Sequence, residues 1–373
     1  MSAGSTNQEG LVLHNASVLT MDPTRPRGRV VEARGSRILG VGTEIDRSRG
    51  KEGKVTFLDC QGKTVVPGFV DAHTHFLAYA SSLLSVDCTP SEVGSIEDVK
   101  AAIAARARET PEGSWIRGAG YDEFYLAEKR HPSAKDLDQA TQQHPVKLIH
   151  RSGHACVLNS YALRLARISI ETPEPLRGVI ERQQETGEPT GLFLDLDQWL
   201  DERLKGSASQ ENIEKAVSKA SERYLSMGIT SLQDASPSNS LERWRLFDRL
   251  KREGWLVPRV SMMIGYCHID EVVEAGLGFG SGDDDLRLGS AKVFLSQVGG
   301  SLSPSAVELI EVVQSASRLG FPVAVHAVEK VEVEAAIKAL ESAARSANPN
   351  LRHRIEHCSI APPDLQERLA RLN

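Results

Sequence analysis

The sequence has no Cys-x-x-Cys pair: its five cysteines, Cys60, Cys88, Cys156, Cys267 and Cys358, are scattered and odd in number. That argues against a disulfide framework and a cysteine-built zinc module, and it fits a protein of the reducing cytoplasm. Positive charge is also scarce. Lys and Arg total 44 against 50 Asp and Glu, a formal net charge of −6, so there is no basic footprint for nucleic acid and no polybasic surface for anionic membranes. No apolar run is long enough to span a bilayer, and the small, polar stretch 1–10 lacks the charged and apolar regions of a signal peptide. Short repeats and low-complexity segments are absent. What remains is a globular profile, 40% hydrophobic and 25% charged over 373 residues, with room for two or three domains.

The stretch Val65-Val66-Pro67-Gly68-Phe69-Val70-Asp71-Ala72-His73-Thr74-His75-Phe76 ends an apolar run in two histidines one residue apart. In a strand, alternate side chains share a face, so His73 and His75 point the same way. Two imidazoles on one face at a strand end are half of a metal site. Asp71 is a candidate support for one of the imidazoles.

Residues 11–60 read as short strands broken by turns and glycines, a small all-β unit. Residues 82–215 are less regular: a helix from Ser95 to Glu109, strands around Trp115–Asp122 and Val146–His150, and a hairpin over Gly178–Arg182 and Gly187–Leu192. From about Glu211 the rhythm becomes helix, strand, helix, strand, which implies parallel βαβ units. Strands are expected at Ile229–Asp234, Arg259–Ile264, Leu288–Leu295, Phe321–His326 and Arg352–His357. His326 and His357 each end one of these strands, on the face where (β/α) barrels build their sites. Asp234 also ends a strand, and either starts a turn or supports the site.

Three motifs give the chain a family resemblance. Pro67-Gly68-Phe69-Val70-Asp71-Ala72-His73-Thr74-His75 resembles the first barrel strand of the amidohydrolase superfamily. Ser152-Gly153-His154 with Asn159-Ser160-Tyr161-Ala162-Leu163, and Gly187-Glu188-Pro189-Thr190-Gly191, resemble the amidohydrolase-3 branch, the one similar to N-substituted formamide deformylases. The resemblance implies an α/β fold: a (β/α)8 TIM-like barrel of a metal-dependent hydrolase, with a partial N-terminal β-sandwich and a large insertion after strand 1. It divides the chain into 1–66 (sandwich), 67–81 with 215–373 (barrel) and 82–214 (insertion). It implies metal ligands at His73, His75, Lys292, His326 and His357, with Lys292 carboxylated and bridging one or two divalent ions, zinc by expectation. Lys292 and His326 take catalytic roles. His154, Arg151 and Asp122 are candidate substrate contacts.

The implied reaction is hydrolysis of a non-peptide C–N bond in a small amide, formamide or cyclic amide by metal-activated hydroxide. The partner is then a small molecule, not nucleic acid or membrane, and a homo-oligomer is left open. The branch also carries a general-base aspartate on its eighth strand, expected here beyond residue 373. Counting points the same way. A (β/α) barrel takes roughly 250 residues and only about 170 are available, so an incomplete barrel holding strands 1–6 is expected. Two rival readings stand beside this one. The first is a truncated, inactive chain that binds metal or a partner. The second is an inverzincin-type zinc protease, because His353-Arg354-Ile355-Glu356-His357 satisfies His-x-x-Glu-His, a motif that works only on a helix.

Overall fold

The computed structural model describes residues 10–44, 54–175, 178–204, 210–298, 300–344 and 351–372. The polar stretch 1–9 and the residues just before the strand expected at Arg352–His357, 345–350, lie outside the described residues. The chain forms two compact units, Met1–Phe69 and Val70–Asn373.

The first unit holds a four-stranded sheet, in the order Arg37–Gly42, Val30–Arg34, Gly10–His14, Val55–Asp59, and a three-stranded one, Arg27–Gly28, Ser17–Leu19, Thr64–Val65. Alternation along these short strands buries Ala16, Val18 and Val31 in a small core with Leu13, Val41, Cys60 and Val65.

The second unit is built on a six-stranded sheet whose neighbours follow chain order: Phe69–Thr74, Ile229–Asp234, Arg259–Gly265, Leu286–Phe294, Val323–Ala327 and Arg354–His357. These are called the first to sixth strands below. From the second strand to the sixth every pairing is parallel. The middle strands are nearly continuous in apolar residues because both their faces are covered. Met262, Met263 and Ile264 are fully buried, as are Val323, Ala324 and Val325.

Helices cross between the strands, and their ends follow side-chain chemistry. Ser240 caps Leu241–Arg252, and Ser305 forms a capping box with Glu308 at the start of Ala306–Arg318. Gly320, at φ +82, then turns the chain out of that helix. The core sits between helices and sheet: Phe247, Leu250, Leu309, Val313 and Ile337 pack with Ile264, Leu288, Val293 and Val325. Each such side chain contributes about 1.5–3 kcal/mol when fully buried. No helix among the described residues is long and apolar enough to cross a membrane.

Among the described residues the first and sixth strands are the outer strands of this sheet. The sheet curls enough for their side chains to meet. Arg354 on the sixth strand donates to Gln233 Oε1 on the second at 2.5 Å and to the Ala72 carbonyl on the first at 3.4 Å. This is the right-handed twist of strands carried around a concave face.

Residues 86–194 form a separate six-stranded mixed sheet. Val86–Asp87, Ile116–Tyr121 and Val146–His150 run parallel, and Ala155–Leu158, Pro189–Leu194 and Val179–Arg182 join antiparallel. The helix Ile96–Glu109 starts at Ser95, whose side chain accepts from Asp98 N. The strand Ala155–Leu158 was not legible as one. All four of its residues are buried, so it shows no alternation.

Candidate metal centre

The first strand delivers its histidines through a turn that other residues hold. His73 is on the strand, and His75 sits at the N-terminal boundary of the helix Phe76–Ser82. Asp234, 1% exposed at the end of the second strand, fixes that turn. Its Oδ2 accepts from Phe76 N at 2.8 Å, and its Oδ1 accepts from Ser236 N at 3.0 Å and Asn239 Nδ2 at 2.8 Å. Of the two roles open to Asp234, the turn is the one its bonds describe.

Four imidazoles converge at the strand ends. Ring centroids are 5.4 Å apart for His73 and His75, 4.8 Å for His73 and His357, and 4.6 Å for His326 and His357. His357 ends the sixth strand at φ +67 and Cys358 follows at φ +49. Two consecutive left-handed residues without glycine are strained, and such strain gathers where a side chain must be aimed. Burial lowers the pKa of His75 and of His357. His326 is pushed down to about 3 by burial, with neighbouring His357 and Lys292 adding to it. At neutral pH the rings of His75, His326 and His357 are therefore uncharged and offer lone pairs, the form that binds metal.

Lys292 lies on the fourth strand, in register between Gly265 and Ala324. It is 1% exposed, and its Nζ has no hydrogen-bond partner among the described residues. Burial pulls its pKa from the usual lysine range to about 8. A buried, orphaned amine is costly unless something further occupies the site.

Glu356, 4% exposed on the sixth strand, was missed as a site residue by sequence reasoning. Its Oε2 contacts His73 Nδ1, and its Oε1 pairs with Arg354 Nε at 2.5 Å. Burial would raise this carboxyl, but the hydrogen bonds from His73 and Arg354 hold it at about 2. The available signal was its place on the strand that ends in His357. Asp71 is the corresponding correction. Its Oδ1 accepts from the backbone N of His73 at 3.2 Å and its Oδ2 accepts from Tyr224 OH at 3.3 Å. It braces the strand and does not touch an imidazole. The protease reading fails on the same segment, because Arg354–His357 is a strand and His353 Nδ1 accepts from Val323 N at 3.1 Å.

From the insertion, His154 reaches this group. Its ring stacks on Phe294 at 5.7 Å, and Phe294 lies 4.5 Å from His326. Its Nδ1 bonds Asp195 Oδ1 at 2.8 Å, which raises its pKa. Arg151 and Asp122 belong to a different constellation. They pair at 2.9 Å, beside Glu123 and His150, which are 2.9 Å apart. One ligand atom from each of Asp122, Glu123 and His150 lies within 4.8 Å of the others. The Arg151 guanidinium already places a positive charge on that group.

Known proteins resemble this chain over most of its length. A profile described as the amidohydrolase family matches residues 56–373. The chain is 30% identical over 401 residues to N-substituted formamide deformylase of Arthrobacter pascens, covering 98% of this chain and 72% of that protein. Among solved structures it is similar to an uncharacterized metal-dependent hydrolase from Pyrococcus horikoshii, with TM-score 0.74 and 23% identity over 97% of this chain and 73% of that one. A second, from Pyrococcus furiosus, has TM-score 0.71 and 25% identity over 97% and 75%.

Proposed function

The chain belongs to the amidohydrolase family, and from that premise we propose that it is a metal-dependent hydrolase of a non-peptide C–N bond in a small amide, with formamides the first substrates to test. The substrate class is supported by the name of the deformylase relative. The observation that carries the reading is the convergence of His73, His75, His326 and His357 near Lys292, whose buried amine is orphaned. The architecture we infer is a (β/α)8-type barrel, with residues 67–81 and 215–373 supplying six strands, 1–66 part of a β-sandwich and 82–214 an insertion.

The donor set fits divalent metal: four imidazoles, three of them held uncharged by burial at His75, His326 and His357, a buried lysine and a carboxylate on the fourth ring. Metal bound there, zinc by donor type, would supply Lewis-acid polarisation of a carbonyl and a water acidic enough to ionise. The protein's own groups do the rest. Lys292, as the neutral amine, can bond to the carbon of carbon dioxide and release a proton, giving an anionic carbamate with two oxygen donors. His326 is oriented by the Phe294 ring packed against it. His154, tied to Asp195, stands where it can contact substrate. Hydrolysis then joins the water oxygen to the carbonyl carbon, breaks the C–N bond and sends a proton to the departing nitrogen.

Elemental analysis of the purified protein should find about one or two equivalents of metal, and a screen of N-substituted formamides should release formate. The double variant His73→Ala/His75→Ala should lose both. Unchanged metal content in that variant contradicts the assignment.

A further inference from the structure

We propose that Glu356 is a positioning residue: its carboxylate holds the proton of His73 on Nδ1 and so presents the lone pair of Nε2 to the histidine cluster. The proposal rests on the metal-centre reading above for its consequence, but not for its geometry.

An ionised carboxylate only accepts hydrogen bonds. Glu356 Oε2 touches His73 Nδ1, so the proton between them belongs to the ring nitrogen. A neutral imidazole has one N–H, and Nε2 is then left as the lone-pair donor. The other first-strand ring has no such constraint. His75 Nδ1 faces Ser236 Oγ at 3.2 Å, a hydroxyl that can give or take the proton. Among the described residues, His73 is the ring of the four that has a carboxylate on it.

The carboxylate is itself held. Arg354 pairs with both of its oxygens, Nε with Oε1 at 2.5 Å and NH2 with Oε2 at 3.1 Å. The guanidinium is in turn fixed on Gln233 Oε1 and the Ala72 carbonyl. The arrangement therefore runs from the backbone of the first strand, across the concave face, through Arg354 and Glu356, and back to His73 on the first strand. Glu356, buried at 4% exposure and tied on both oxygens, is thereby kept in one geometry, as the outer partner of a ligand imidazole must be. Arg354 also balances the charge, so a carboxylate can stay ionised at 4% exposure.

The test reads the proton directly. In the metal-free protein with 15N-labelled histidine, long-range 1H–15N correlation should show His73 with its proton on Nδ1 and an unprotonated Nε2. His73 with its proton on Nε2 overturns the proposal, and that result needs no variant. Glu356→Gln keeps the size and an oxygen for Arg354. It should bring in the Nε2–H form of His73 and weaken zinc binding, measured against a competing chelator, by about tenfold or more. Glu356→Asp should recover part of the loss. A Glu356→Gln protein that melts like the parent, with unchanged His73 shifts and unchanged zinc affinity, also overturns it. Should the parent bind no zinc while His73 carries its proton on Nδ1, the proton placement stands and the metal-centre reading falls.

Discussion

Lys292 shows what a single residue's setting decides. Exposed lysines stay charged far above neutrality, but this one is 1% exposed and its pKa is lowered to about 8 by burial. With a pKa near 8, about a tenth of the amine is neutral at pH 7 and about nine-tenths at pH 9. Only the neutral amine reacts with carbon dioxide. Metal loading from bicarbonate buffer should therefore rise steeply between pH 7 and pH 9, as measured by metal content after desalting. Lys292→Ala should lose that rise, and short carboxylic acids should restore part of the loading. A flat profile in the parent would show that Lys292 takes no part. The lysine was legible in the sequence only through the family pattern, since a lone lysine on an apolar strand otherwise reads as a snorkelling side chain. His73 and His75 were singled out by their spacing together with the Pro67-Gly68-Phe69-Val70-Asp71-Ala72 run before them. Glu356 was not, because its partner His73 is 283 positions away, and only the curl of the sheet brings them together.

Elements were easiest to read where local chemistry and periodicity agree. The helix Ala306–Arg318 has a serine cap, a capping-box glutamate and a glycine after its end, and it falls between two of the expected strands. Ala155–Leu158 was missed because full burial erases the two-residue alternation that marks a strand. The turn after the second strand was left between two roles for a related reason. Asp234 has one identity in sequence but three donors in space. Asp234→Ala should strand those donors and lower the unfolding free energy by about 3–5 kcal/mol in urea denaturation. A loss of less than about 1 kcal/mol would mean that the helix Phe76–Ser82 and the turn are held by other contacts.

At the scale of the whole molecule, two places among the described residues compete for a cation. One is the cluster of His73, His75, Lys292, His326 and His357 at the ends of the parallel strands. The other is Asp122, Glu123 and His150 in the mixed sheet, which already hosts Arg151. The first gathers four imidazoles around an orphaned amine, and in the second the Arg151 guanidinium already sits on Asp122 at 2.9 Å. Crystals soaked in zinc, with diffraction recorded on both sides of the zinc absorption edge, locate the ion without reference to activity. The expected map has its strongest anomalous peak bounded by His73, His75, Lys292, His326 and His357. A map with zinc only at Asp122, Glu123 and His150, or with no peak at the strand ends, contradicts the metal centre.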